Sequence, residues 1–250
     1  KYLKKINRKF VSFTLGFENK SYDESSFVKK IISDHKKEIF IVKESDLKSN
    51  FIELSKLIHD PIGDSSILPT YIIHKEISKN SNVTLGGDGG DESFFGYITF
   101  DAFYLALKLK KIFPNFILKF INKLILKQKE TKKYLTFKVK LKKFFESIDV
   151  KKEYLLPSWM SCLSNKDLNN LLNQKSSVQK NFSESDEIFN NTSNLMRSCQ
   201  LYHFKYYLPM ILSKVDQASM FNSVESRSPF LSKKIINFSL DQDISFLYKA

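Results

Sequence analysis

Asn82-Val83-Thr84-Leu85-Gly86-Gly87-Asp88-Gly89-Gly90-Asp91-Glu92-Ser93-Phe94-Phe95-Gly96-Tyr97 is the stretch on which the reading of this chain turns. Residues 86–92 hold four of the chain's seven glycines and three carboxylates. Glycine admits positive φ and lets a ligand approach the main chain closely. Carboxylates beside such a loop suit a hard cation, and Mg²⁺ usually arrives already bound to a nucleotide's phosphates. Residues 82–85 predict a short strand, and residues 93–97 predict the opening of a helix. A strand, a glycine loop and a helix in that order is where open α/β sheets bind ligands. An acidic surface turn, with Asp88, Asp91 and Glu92 doing no more than capping the helix, fits the same residues; Glu92 is expected to be such a cap.

Upstream of the loop, apolar runs and turn residues alternate. Residues 10–17 predict a buried strand, and Asp23-Glu24-Ser25 starts a helix carrying Phe27, Val28, Ile31 and Ile32 on one side. Residues 39–42 predict a second strand, and residues 51–58 a helix with Ile52, Leu54, Leu57 and Ile58 inward. After Asp60-Pro61, the run Asp64-Ser65-Ser66 offers caps for a helix that continues through Tyr71 to Ile77. The order β-α-β-α-α-β favours a parallel sheet covered by helices. Beyond Asp101 helical periodicity dominates, with a polar stretch at 164–194 that reads as loop and a helical block from Leu201 to Met220 interrupted by Pro209. The expected organisation is therefore a parallel α/β portion over residues 1–100 and a mainly helical portion over 101–250.

Composition narrows the function classes. The two cysteines, Cys162 and Cys199, supply neither a disulfide framework nor metal spacing, and the four histidines are scattered. With no signal peptide and no apolar run of eighteen residues, a cytoplasmic protein without a membrane span is expected. The net charge of +13 is concentrated: residues 105–143 hold thirteen lysines and one acid, Glu130, a balance of +12. Within it Phe113, Phe116, Ile117, Phe120, Ile121 and Leu124 recur at helical spacing, with Lys119, Lys123 and Lys127 between them. An amphipathic helix docked on the body with a solvated lysine face accounts for this pattern; RNA, anionic lipid or an acidic partner are the other readings.

Four segments stand in a fixed order: Phe13-Thr14-Leu15-Gly16-Phe17 with Tyr22-Asp23-Glu24, the run from Asp60 to Thr70, the loop from Leu85 through Tyr97, and Val224-Glu225-Ser226-Arg227-Ser228-Pro229-Phe230-Leu231 with Lys214-Val215-Asp216 ahead of it. Together they resemble the synthetase domain of glutamine-hydrolysing asparagine synthetases, a branch of the ATP pyrophosphatases. The likeness spans residues 10 to about 235. It implies an adenine nucleotide alpha-hydrolase-like fold and a two-step reaction with ATP and Mg²⁺: adenylation of a carboxylate with release of pyrophosphate, then displacement of AMP by ammonia derived from glutamine. Residue by residue, it implies that Leu15, Gly86 and Gly87 border the nucleotide. It makes Asp91 a ligand of Mg²⁺-pyrophosphate and places Asp88 at the acidic position tied to forming the acyl-adenylate. Aspartate is the implied acceptor; a sugar acid of a surface polysaccharide is an alternative, as is a degenerate module that binds RNA or a partner through its lysines. A homodimer is compatible with the resemblance, and nucleic acid is not the expected partner.

Three departures accompany the likeness. The family's Ser-Gly-Gly-Leu-Asp-Ser pyrophosphate loop is not found before residue 10, no glutaminase domain precedes it, and the lysine segment beyond the Pro-Phe-Leu motif would lie after Ala250. Gly86 replaces the usual serine and Ser232 the usual aspartate. These 250 residues are therefore expected to be the middle of a larger enzyme, inactive alone. Glu225 with Arg227 is expected to be a structural ion pair, Lys214 with Asp216 a helix-surface pair, and Trp159 a core residue.

Overall fold

A computed structural model describes residues 10–18, 23, 25, 28, 30, 36–59, 62–126, 137–173 and 177–249. In chain order the first elements are β1 (Val11–Phe17), β2 (Lys36–Val42), α1 (Glu44–Ser55), α2 (Ile67–Ile77) and β3 (Val83–Leu85). There follow α3 (Gly90–Phe94), α4 (Ile98–Ile112), α5 (Asn115–Leu126), α6 (Phe137–Glu146), α7 (Lys152–Met160), α8 (Asn165–Leu172) and α9 (Val178–Asn181). The last are α10 (Glu184–Asn191), α11 (Leu195–Tyr202), a π-helical turn His203–Tyr207, α12 (Leu208–Met220), β4 (Glu225–Arg227), a 3₁₀ turn Pro229–Leu231, α13 (Lys233–Asp241) and α14 (Ile244–Leu247). The chain divides into two compact units, Lys1–Gly86 with Met210–Pro229, and Gly87–Pro209 with Phe230–Ala250.

The first unit carries the strands. β1 and β2 run parallel in the register Val11 opposite Lys36 to Phe17 opposite Val42, and the rings of Phe13 and Phe40 stack at 6.3 Å. β3 pairs in parallel with β4, Val83 opposite Glu225 and Leu85 opposite Arg227. The expected parallel pairing is present, but among the described residues the strands form two two-stranded pairs rather than one wider sheet. β4 was not foreseen, because Glu-Ser-Arg shows none of the apolar alternation by which a strand is read. The core of this unit gathers Val42, Leu54, Ile67, Tyr71, Ile72 and Ala218.

Two helix expectations here need correction. α1 starts at Glu44 rather than 51, since the Asp46 carboxylate accepts from the Lys43 amide at 3.0 Å and fixes the first turn. Consequently Ile52 is exposed, Leu54 is buried, and Leu57 and Ile58 pack on the core from beyond the helix end. The helix expected after Asp23 falls largely outside the described residues; Asp23 itself accepts from the Ser25 amide at 3.0 Å.

The second unit is helical. Phe100, Phe103 and Ala106 of α4 meet Leu155, Leu156 and Trp159 of α7 and Cys199 of α11 in one buried cluster. Trp159 is the core residue expected, its indole N–H donating to the Phe144 carbonyl at 3.3 Å. The polar stretch 164–194, expected as loop, contains α8, α9 and α10. The Ser164 and Ser177 hydroxyls accept from the amides of Asp167 and Lys180, each at 3.1 Å, so serine caps start helices where apolar periodicity is thin. Pro209 does not break the helical block. It follows the wide π-helical turn His203–Tyr207, where an i→i−4 bond is not required of it.

Candidate functional site

The acidic loop is a turn bounded by left-handed residues. The Gly90 amide donates to the Gly87 carbonyl at 3.1 Å, Gly89 has φ 85°, and five residues of helix follow. That helix ends on Phe95, a bulky residue at φ 58°, whose ring is buried against Phe100 at 4.6 Å between centroids. A non-glycine residue there costs about 1–2 kcal/mol, offset by burial of the ring. Asp88 is half-buried and Asp91 exposed, and the space beside Gly87 is open.

The Pro-Phe-Leu segment packs directly on this loop. A Cβ on Gly89 would overlap Leu231 Cδ2, and one on Gly90 would lie 3.5 Å from the Phe230 ring. Phe230 also meets Phe94 edge-on at 6.1 Å. Gly96 serves Asp91 in the same manner, since a Cβ there would overlap the Asp91 carboxylate oxygen Oδ1. The Gly96 amide donates to the Asp91 carbonyl at 2.9 Å. Leu231, Phe230 and Gly96 were not singled out for this work in the sequence. The signal available was the pairing of adjacent glycines with a distant apolar dipeptide.

Beneath the loop lies a buried polar group that corrects the expectation for Glu92. Rather than capping the helix at the surface, Glu92 is 1% exposed, and the Tyr97 hydroxyl donates to its Oε1 at 2.7 Å. Its Oε2 and the Ser93 hydroxyl are buried with no hydrogen-bond partner among the described residues. Burial and the adjacent Glu92 carboxylate push the Tyr97 phenol far above its ordinary value. Tyr97 stacks on His203 at 5.4 Å. His203 is fully buried with Nδ1 2.8 Å from the Cys199 carbonyl, and burial drives its pKa down to about 4. His203 and Cys199 thus both lie in the packed interior.

The remaining motif residues belong to the first unit. Leu15 sits in β1 opposite Phe40, half-buried against the core of Val42, Leu54 and Tyr71. Gly86 ends β3, its amide donating to the Arg227 carbonyl at 2.8 Å. Lys214 does not pair with Asp216 as expected. Its Nζ donates to Asp64 Oδ2 at 3.0 Å and to Ser66 Oγ at 2.7 Å, with the lysine side chain only 12% exposed. Asp64 Oδ1 accepts from the Ser66 amide and hydroxyl, and so turns the chain into α2. Burial pulls the Asp64 pKa up, but these Ser66 and Lys214 donors outweigh it and hold the carboxyl below its usual range. Glu225 and Arg227 form the expected ion pair, at 2.8 and 3.2 Å. The structure thus gathers Gly87, Asp88 and Asp91 in one turn of the second unit, and places Leu15 and Gly86 in the first.

The asparagine synthase family profile matches residues 2–249. The chain belongs to the asparagine synthase family. This is the family that the four motifs resemble. An asparagine synthetase (glutamine-hydrolysing) 1 of Bacillus subtilis is 26% identical over 249 residues, covering 94% of this chain and 37% of that protein. A protein named as glutamine-hydrolysing asparagine synthetase 2 in Methanocaldococcus jannaschii is 35% identical over 111 residues, 44% of this chain and 21% of the relative. One from Mycobacterium bovis is 26% identical over 95 residues, 36% of this chain and 14% of the relative. The chain thus spans well under half the length of these curated relatives. No solved structure matches it.

Among the described residues no three His, Cys, Asp or Glu side chains are gathered as a metal cage. Two carboxylates, half-buried Asp88 and exposed Asp91, stand in the turn beside the open flank of Gly87. Mg²⁺ is commonly held by one or two carboxylates, with substrate phosphates and water completing its shell.

Proposed function

We propose that this asparagine synthase domain forms part of an enzyme that amidates aspartate to asparagine at the expense of ATP, in the cytoplasm, with ammonia derived from glutamine. The observation that carries the reading is the pair Asp88 and Asp91, displayed on a glycine turn whose shape is fixed by Leu231 and Phe230. In the first step an acceptor carboxylate oxygen attacks the α-phosphorus of ATP and the bond to pyrophosphate breaks. In the second, ammonia attacks the acyl carbon, the C–O bond to AMP breaks, and a proton is lost from nitrogen. Bound Mg²⁺ supplies neutralisation of the charge that develops on pyrophosphate. Asp91 and Asp88 would hold it, and the open flank of Gly87 would admit the phosphates; the family likeness also assigns Gly86 and Leu15 to the nucleotide. An adenine nucleotide alpha-hydrolase-like arrangement, with residues 1–100 as the nucleotide-binding portion, is the fold that belongs to this chemistry.

The test is acceptor-dependent pyrophosphate release by the full-length protein with ATP-Mg²⁺, glutamine or ammonia, and a panel of carboxylates. Aspartate is expected to give the highest kcat/KM. Preference for a sugar acid would keep the chemistry and replace the acceptor, and no acceptor-dependent pyrophosphate would overturn the proposal.

A further inference from the structure

Helix α5 carries two apolar faces, and only one is covered. Leu118 is 1% exposed, and Ile117, Ile121 and Ile125 are half-buried on the inward side. About a quarter turn away Phe116, Phe120 and Leu124 form a second stripe, 71%, 63% and 52% exposed. Isolated exposed apolar residues need no explanation, but a contiguous stripe of this kind marks an interaction surface. Lys119 and Lys123 border the stripe on its far side, and Lys119 also reaches Asp149 at 4.0 Å.

Lysines outnumber carboxylates on α5 and α6. α6 lies against α5 and adds Lys138, Lys140, Lys142 and Lys143 against a single carboxylate, Glu146. The opening residue of α6, Phe137, is 79% exposed. At twelve residues α5 is about 18 Å long. It is too short to cross a bilayer, and among the described residues no helix is long and apolar enough to do so.

We propose that the Phe116-Phe120-Leu124 face of α5, with the lysines of α5 and α6 around it, docks on an anionic lipid bilayer. The helix lies in the plane of the surface. Phenyl rings and Leu124 enter the boundary between headgroups and acyl chains, and the ammonium groups meet the anionic headgroups. Charge complementarity selects this occupant. A second copy of the chain would set one lysine field against another, which repels. A nucleic acid would satisfy the lysines, but Leu124 offers no π-face for a base to stack on.

The experiment is co-sedimentation of the full-length protein with vesicles of phosphatidylcholine alone, and of phosphatidylcholine mixed with phosphatidylserine. Binding is expected only to the mixed vesicles and is expected to weaken as salt rises. Phe116→Ser and Phe120→Ser should each reduce partitioning about ten-fold, and Lys123→Gln about five-fold. Because these side chains are exposed, the thermal midpoint of each variant should match that of the parent. Absence of sedimentation, or equal binding to both vesicle types, overturns the proposal. So does binding of polyuridylate that Phe116→Ser and Phe120→Ser leave unchanged while vesicles bind neither protein.

Discussion

Tyr97 holds Glu92 by one hydrogen bond at the base of the acidic loop, and the energetics of that bond follow from burial. Tyr97→Phe keeps the ring on His203 but leaves both Glu92 oxygens buried without a donor among the described residues. A loss of about 1–3 kcal/mol in stability is expected, read from the urea midpoint at constant slope. An unchanged midpoint would mean that Glu92 is satisfied by something other than Tyr97. His203 gives a pH dependence of definite sign. Its folded pKa, about 4, lies below the ordinary 6.5, so the unfolded chain binds the extra proton between those values. Its contribution is whole above pH 6.5 and falls away as pH drops toward 4, by up to about 3 kcal/mol. Melting temperatures measured across that range should decline more steeply in the parent than in His203→Gln. Equal slopes would remove His203 from the acid response.

At the scale of elements, the loop and the 3₁₀ turn that packs on it behave as one unit. Gly89→Ala combines a left-handed φ with an overlap on Leu231, so it should cost more than the roughly 1–2 kcal/mol of φ alone. Leu231→Ala relieves that overlap, and the double variant should therefore be less destabilised than the sum of the two single variants. Strict additivity in urea titrations would deny the contact. In the first unit, Lys214→Met strips Asp64 of its cation at the entry to α2. A loss of about 1–3 kcal/mol is expected in the same assay. The glycines, acids and apolar strands were legible in the sequence because they act locally, through φ, charge and alternation. The partners of Lys214, Glu92 and Gly89 were not, because Asp64, Tyr97 and Leu231 reach them only through tertiary packing. Residues 165–191 were misread for a different reason. Their helices rest on serine caps and on a few apolar contacts such as Ile188 and Phe189, rather than on a continuous stripe.

For the whole molecule, the proposed nucleotide chemistry rests on family membership and the acidic loop, and the lysine-rich helices α5 and α6 play no part in it. Most of the net charge lies in residues 105–143, so the remainder of the chain is near neutral. In the proposed reaction Asp88 and Asp91 carry the adenylation step, which can be measured without knowing the ammonia source. Aspartate-dependent exchange of labelled pyrophosphate into ATP, followed in full-length Asp88→Asn and Asp91→Asn proteins with unaltered melting temperatures, isolates that step. A fall of roughly 10²- to 10³-fold is expected in each. Exchange at the parent rate in either folded variant would contradict it for that residue, and in both would remove the loop from the chemistry.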